Sequence, residues 1–191
     1  MSDDIKLVET VKGEEMYEAK LLMELVDPTA TMKMPTRTHA TDSGVDLYAN
    51  SIKRMYVHGG GNGEAVLSGD ALKKRIRGSD ITLSYLERVL IGTGIKATVG
   101  KGYELQVRPR SGLALKQGLT VLNTPGTIDE GYRDEICIIL INLSRADQTI
   151  TRGDRIAQLV VAPVCIAEME LVNKLPPPGS DRKGGFGSSG K

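Results

Sequence analysis

Asn123-Thr124-Pro125-Gly126-Thr127-Ile128-Asp129-Glu130-Gly131-Tyr132-Arg133-Asp134-Glu135 is a turn set between two aliphatic runs, Gly118 to Asn123 and Glu135 to Leu143. Pro-Gly favours a tight reversal, because proline presets φ and glycine accepts the conformation that follows. The pattern predicts a hairpin with Asp129 and Tyr132 just past its tip. Solvated acids on an ordinary turn would read the same way. A rigid hairpin that presents Asn, Asp and Tyr together can also bind a base and position a water.

Outward from this turn the chain keeps the same texture. Tyr17 to Val26, Ile81 to Ile91, Gly102 to Pro109, Arg155 to Val164 and Glu168 to Val172 are further β-branched or aliphatic runs. Many end at Gly, Pro, Asn or Asp, and no run outside one basic stretch holds a helical period. Many short strands with this punctuation predict an all-β sandwich, jelly roll or barrel.

The 191 residues suit one domain, and the 40% apolar content is enough for a core. With no Trp and a single Phe, that core has to be aliphatic. A formal net charge of +1 argues against a general nucleic-acid binder. Cys137 and Cys165 lie in apolar runs and read as reduced, buried thiols rather than a disulfide or metal site. The acidic start carries no apolar signal segment and no run is long enough to span a bilayer, so a soluble, cytoplasmic protein is expected.

Two segments stand apart. Ser51 to Gly78 holds a glycine cluster and a possible short helix around Asp70 to Ile76, with six Lys and Arg against two acids. From Pro176 the chain reads PPPGSDRKGGFGSSGK, which cannot build a packed element. A flexible linker is the plain reading. Against it, Phe186 sits among glycines after Arg182 and Lys183, which suits a lid over a planar ligand with cations for phosphate oxygens.

Three more stretches carry polar groups in telling places. Arg108-Pro109-Arg110-Ser111-Gly112-Leu113-Ala114 ends an alternating strand; it reads as surface arginines or as an anion site. In the second reading Ser111 offers a hydroxyl, Gly112 an amide at a turn, and Arg110 a guanidinium to hold a carboxylate. Asp46, in Thr41-Asp42-Ser43-Gly44-Val45-Asp46-Leu47-Tyr48-Ala49, is a carboxylate flanked by apolar residues and needs a partner. Gln158, in Gly153-Asp154-Arg155-Ile156-Ala157-Gln158-Leu159-Val160, is likewise polar within an apolar strand.

These five segments, in this order, resemble the five motifs of the homotrimeric dUTPases, from about Met34 to Lys191 and interrupted only by Ser51 to Gly78. The resemblance implies a jelly-roll or barrel-like β domain over 1–175, with an insertion at about 51–78 and a flexible arm over 176–191 closing on the active site. It implies hydrolysis of dUTP to dUMP and pyrophosphate, which lowers dUTP and supplies dUMP for thymidylate synthesis. Asp129 corresponds to the catalytic carboxylate that activates a water for attack on the α-phosphorus. Mg²⁺ would be held mainly by phosphates and waters, with Asp46 supporting it through water and steadying Arg110. Ser111, Gly112 and Gln158 would contact phosphates. Asn123 and the backbone of Gly126, Thr127 and Ile128 would read uracil. Tyr132 would pack under the deoxyribose, and Cys137 would border the base pocket through its main chain. From the arm, Arg182 would clamp the β and γ phosphates, Phe186 would stack on uracil, and Gly187, Ser188 and Ser189 would complete the phosphate contacts. Each site would draw on three subunits. The resemblance implies neither membrane nor direct nucleic-acid partners.

Two alternatives remain at this point. The fold also hosts dCTP deaminases, which need a catalytic glutamate and lack the Asp-plus-Tyr turn. A regulatory protein contacting a partner through Ser51 to Gly78 is the other. The arm from Arg182 to Phe186 is one residue shorter than the commonest family spacing.

Overall fold

A computed structural model of the chain describes residues 5–11, 14–58, 64–177 and 179. In chain order the strands are β1 (Ile5–Val11), β2 (Glu14–Ala19), β3 (Leu22–Leu25), β4 (Gly44–Tyr48), β5 (Ser51–His58), β6 (Glu64–Leu67), β7 (Asp80–Leu83) and β8 (Arg88–Gly92). They continue with β9 (Ile95–Thr98), β10 (Tyr103–Arg108), β11 (Leu119–Val121), β12 (Gly126–Ile128), β13 (Cys137–Asn142), β14 (Gln148–Thr151) and β15 (Arg155–Pro163). Two short helices interrupt them, α1 (Gly69–Lys73) and α2 (Ser111–Gln117).

Two antiparallel sheets form the body. One has the order β12-β10-β15-β4 and the other β11-β13-β8-β5-β6; β1-β2, β14-β7 and β3-β9 are separate pairs. The two sheets share one hydrophobic core. Leu47, Leu105, Val107 and Leu159 come from the first, and Met55, Val89, Ile91, Val121, Ile138 and Leu140 from the second. Burial alternates along β8 and β13, as expected when one face of a strand meets the core and the other does not. The buried hydrophobic residues are Leu, Ile, Val, Met and Ala, the aliphatic core that the composition predicts. This is the all-β, jelly-roll-like class expected from the sequence.

Several local expectations change. Tyr17 to Val26 is two strands, not one. Ile81 to Ile91 is broken between β7 and β8 by a turn in which Leu86 takes φ 64°. That turn is held by the buried Glu87, whose Oε2 accepts from Ser84 N at 2.8 Å and Arg75 Nη2 at 2.9 Å. The 123–128 turn joins no hairpin, because β11 pairs with β13 and β12 pairs with β10 in the other sheet. The Pro-Gly corner carries the chain from one sheet to the other. Ser111 to Gln117 is helical rather than a strand-end turn, and Glu168 to Val172 forms no strand. In the segment expected as an insertion, β5 lies between β8 and β6 with Met55 fully buried, while α1 matches the expected short helix.

Candidate functional site

β4 is the edge strand on which the site is built. Leu47 faces the core and Asp46 the opposite side, as the period of two requires. Asp46 pairs in register with Gln158 of β15, which in turn lies opposite Arg108 at the end of β10. Arg110, two residues past β10, reaches back: its Nε donates to Asp46 Oδ1 at 2.9 Å. Arg155 Nη1 donates to the other oxygen, Oδ2, at 3.1 Å. The Asp46 side chain is 14% exposed, so the two guanidinium groups supply the partners that water does not. Arg110 Nη1 also donates to the Arg155 carbonyl at 3.3 Å, tying the two arginines together.

Gln158 Nε2 donates to the Pro109 carbonyl at 2.9 Å, which fixes the amide beside the start of α2. Gly44 makes room for it: a Cβ at position 44 would stand 2.8 Å from Gln158 Oε1. The amides of Ser111 and Gly112 open α2, where a helix has no internal acceptor for them. Asp46, Arg110, Ser111, Gly112 and Gln158 meet with Thr36, Thr38 and Asp42 around one polar cavity of about 300 Å³. Donors from three distant segments thus converge on a space of small-ligand size.

The second group of residues lies elsewhere. Asn123 Nδ2 approaches Gly126, within 3.3 Å of where a Cβ would stand. Asp129 is exposed, and its carbonyl accepts from Tyr132 N at 3.0 Å, which closes a turn after β12. Tyr132 OH donates to the Glu135 carbonyl at 3.0 Å. Burial first, and then the charges at Cys137, Asp134 and Glu135, push the Tyr132 phenol above its ordinary range, so near neutral pH it is a neutral packing group. Cys137 sits half-buried on β13 opposite Gly92. Burial first and Glu135 second raise its thiol, against an opposing pull from Lys53.

β4 and β12 are opposite edges of one sheet. Three strand spacings separate them, about 14 Å. Asp46 stands level with Arg108 and Ile128 with Leu105, a further three residues, or about 10 Å, along the strands. Within one chain, Asp129 is therefore remote from the cavity that Asp46 lines.

A family model described as dUTPase matches residues 77–190. The deoxyuridine 5'-triphosphate nucleotidohydrolase of Clostridium novyi (strain NT) is 42% identical over 171 residues, covering 90% of this chain and 99% of that protein. The chain belongs to the dUTPase family. The same-named protein of Ehrlichia canis (strain Jake) is 57% identical over 112 residues, 58% of this chain and 73% of that one. Among solved structures, a single-residue mutant of the Staphylococcus bacteriophage 80alpha dUTPase with dUpNHpp superposes with a TM-score of 0.66 at 23% identity, covering 90% of this chain and 99% of that one. The dUTPase of phage phi11 of S. aureus, solved for visualization of its species-specific insert, gives 0.58 at 23% identity, with 82% and 97% covered. These two show the fold.

For this dUTPase, the structure brings together Asp46, Arg110, Ser111, Gly112 and Gln158 of the expected residues. Gly126, Thr127 and Ile128 form β12 at the far edge of the first sheet, Asn123, Asp129 and Tyr132 lie in the loops flanking it, and Cys137 begins β13. Arg182, Phe186, Gly187, Ser188 and Ser189 fall outside the described residues. Sequence reasoning missed Thr36, Thr38 and Asp42, which also line the cavity, and Arg155, which holds Asp46. By simple alternation Arg155 would share a face with Ala157, which is buried. The register slips between Arg155 and Ala157, so Arg155 joins Gln158 on the outer face. Its place three residues before Gln158 was visible; the bulge was not.

Among the described residues no helix is long and apolar enough to cross a membrane. No group of three or more His, Cys, Asp and Glu forms a metal-binding set among them.

Proposed function

We propose that this dUTPase hydrolyses dUTP to dUMP and pyrophosphate at sites completed between subunits, with Asp129 as the base. Family membership supports the overall reaction. The observation that carries the site assignment is the convergence of Asp46, Arg110, Ser111, Gly112 and Gln158 on one cavity. Its donors are a hydroxyl, amides and guanidinium groups, which suit phosphate oxygens.

The residues then divide the work. Ser111, Gly112 and Gln158 hold the triphosphate. Arg110, fixed by Asp46, keeps positive charge beside it and offsets the charge that grows on the departing pyrophosphate. Asp129 orients a water in line with the α-phosphorus and takes its proton. Asn123 and the amides of 126–128 pair with uracil's polar edge, which rejects cytosine through unmatched donors. Tyr132 packs against the deoxyribose and leaves no space for a 2′-hydroxyl. Phe186 and Arg182 come from the arm.

Mg²⁺ fits this donor set only as an ion that keeps its waters and binds phosphate oxygens. Both oxygens of Asp46 already accept from guanidinium groups, so a water-mediated role is what they leave. Bound there, the ion would neutralise phosphate charge and align the triphosphate.

The geometry favours the homotrimer that the family resemblance implies. Asp129 cannot reach its own chain's phosphate cavity, so it would serve a neighbour's. Residues 165–177 are exposed throughout, with Met169 at 95% and Leu171 at 101%. Each such side chain gains about 1.5–3 kcal/mol when covered. Their partner would be a second copy, on which this stretch can become the strand that its sequence favours.

The test is turnover of dUTP, dCTP, dTTP and UTP with Mg²⁺ and product identification. Fast conversion of dUTP alone to dUMP and pyrophosphate is expected. Ammonia release, or equal turnover of UTP, overturns the reading.

A further inference from the structure

The turn that carries Asp129 and Tyr132 is anchored from outside by an ion pair that the proposed mechanism does not use. Glu135 Oε2 pairs with Lys53 Nζ at 2.7 Å, and Glu135 Oε1 accepts from Gly94 N at 2.7 Å. The Glu135 carbonyl accepts from Tyr132 OH at 3.0 Å, and Tyr132 N donates to the Asp129 carbonyl at 3.0 Å. The next residue is pinned as well: Ile136 N donates to the Ile95 carbonyl at 2.8 Å. A continuous set of contacts therefore runs from Lys53 on β5, through Glu135, to both residues of the turn.

Two features of the sheet build this contact. First, the β5–β8 register slips by one between Ile52, opposite Ile91, and Arg54, opposite Leu90. Lys53 is the extra residue, and a bulge of this kind re-aims a side chain out of the strand's alternation. Second, Gly92 lies across from Ser51 and Cys137. A Cβ there would collide with Glu135 Oε1, Lys53 Cε and Ser51 Oγ at once. The bulge delivers the ammonium and the glycine leaves the space in which it meets the carboxylate. Glu135 is 14% exposed and Lys53 40%, so the carboxylate is largely removed from water and the cation is its main charge partner.

We propose that Lys53 and Glu135 are positioning residues: their ion pair, seated over Gly92, sets the orientation of the Asp129–Tyr132 turn and so tunes both water activation and discrimination against a ribose. This rests on the assignment of Asp129 and Tyr132 under the proposed function. Glu135 touches no reacting atom; it acts through the Tyr132 hydroxyl and its own backbone. Small displacements of a catalytic base cost rate steeply, which makes a preset turn valuable.

The experiment uses the full chain and the variants Lys53→Met, Lys53→Arg, Glu135→Gln and the Lys53→Met/Glu135→Gln double, with kcat and KM measured for dUTP and UTP. Lys53→Met is expected to lower kcat on dUTP about threefold, as a half-exposed pair allows, and to reduce the preference for dUTP over UTP. Lys53→Arg restores both. Glu135→Gln is expected to cost roughly tenfold or more, and the double variant no more than Glu135→Gln alone. A merely structural pair would lower Tm while kcat, KM and the dUTP-over-UTP preference stay at wild-type values, and that result overturns the proposal, as do losses that multiply in the double. If Glu135→Gln fails to fold, the Lys53→Met and Lys53→Arg comparison decides alone. Asp129→Asn separates the levels. Normal turnover by that variant defeats the underlying reading, whereas an inactive Asp129→Asn beside an unaffected Lys53→Met defeats only this inference.

Discussion

Arg110 Nε donates to Asp46 Oδ1 at 2.9 Å across 64 positions of sequence, and that contact organises the polar cavity that Ser111, Gly112 and Gln158 line. Asp46→Asn removes the charge and turns an NH₂ toward one of two guanidinium groups. The expected result is a fall in kcat/KM on dUTP of roughly a hundredfold. Stability changes less, since Arg155 is half exposed and solvent screens its share. Each kcal/mol lost would appear as a Tm shift of about 2–4 °C. Arg110→Lys should be nearly as damaging to activity, because an ammonium cannot reproduce the Nε and Nη1 contacts. Unchanged kinetics in both variants would show that the pair is only a surface tie.

Asp129→Asn tests the base. Its side chain is exposed and its fold contact is made by its carbonyl, so the variant should keep wild-type Tm. KM for dUTP should stay within about threefold while kcat drops by roughly two to four orders of magnitude, the span of general-base catalysis. Steady-state kinetics with thermal melting on the same preparation checks both halves.

Gly44→Ala probes Gln158 without replacing it. The new Cβ would sit 2.8 Å from Gln158 Oε1, and the flexible amide is what yields. Its contact with the Pro109 carbonyl is then lost or rotated. KM for dUTP is expected to rise by about tenfold with kcat less affected, the signature of weakened ground-state binding. An unchanged KM would argue that Gln158 does not contact substrate.

The all-β class was readable in the sequence because short β-branched and aliphatic runs end at Gly, Pro, Asn or Asp, and the polar exceptions, Asp46 and Gln158, signal themselves by standing in apolar runs. That Asp46 needs a partner was readable from its place among apolar residues; that the partner is Arg110 came from the resemblance to the dUTPase motifs. Much of what escaped has one cause: local backbone events that residue type does not announce. Leucine rarely takes positive φ, so the turn at Leu86 that splits Ile81 to Ile91 was invisible. The register slips at Lys53 and near Ile156 each send an arginine or lysine to the unexpected face. Glu168 to Val172 has strand composition but pairs with no strand among the described residues, so its sequence signal and its structure diverge.

Removal of Pro177 to Lys191 tests the arm. If Arg182 and Phe186 close the site, turnover should be largely abolished while the sheets and Tm persist, because the core residues all lie upstream. Sizing should give the same assembly as the full chain, since Ile166, Met169 and Leu171 are retained. Normal turnover by the truncated chain would reduce the arm to a linker.

Cys137 gives a prediction in pH. Its folded-state pKa is raised above the ordinary thiol value, chiefly by burial and then by Glu135. The folded state therefore disfavours the thiolate. Stability from this group is intact below the unfolded thiol pKa, about 8.5, and is lost as pH rises from there through the folded value. The Tyr132 phenol, raised in the same sense, extends the loss to higher pH. Urea midpoints measured from pH 7 upward should decline above about pH 8.5, and Cys137→Ala should flatten the first part of that decline. Glu135→Gln removes the second cause and should bring the thiol's titration down, read as faster alkylation at pH 8. An alkylation rate indifferent to Glu135→Gln would mean that burial alone governs the thiol, and that the carboxylate's charge does not reach it.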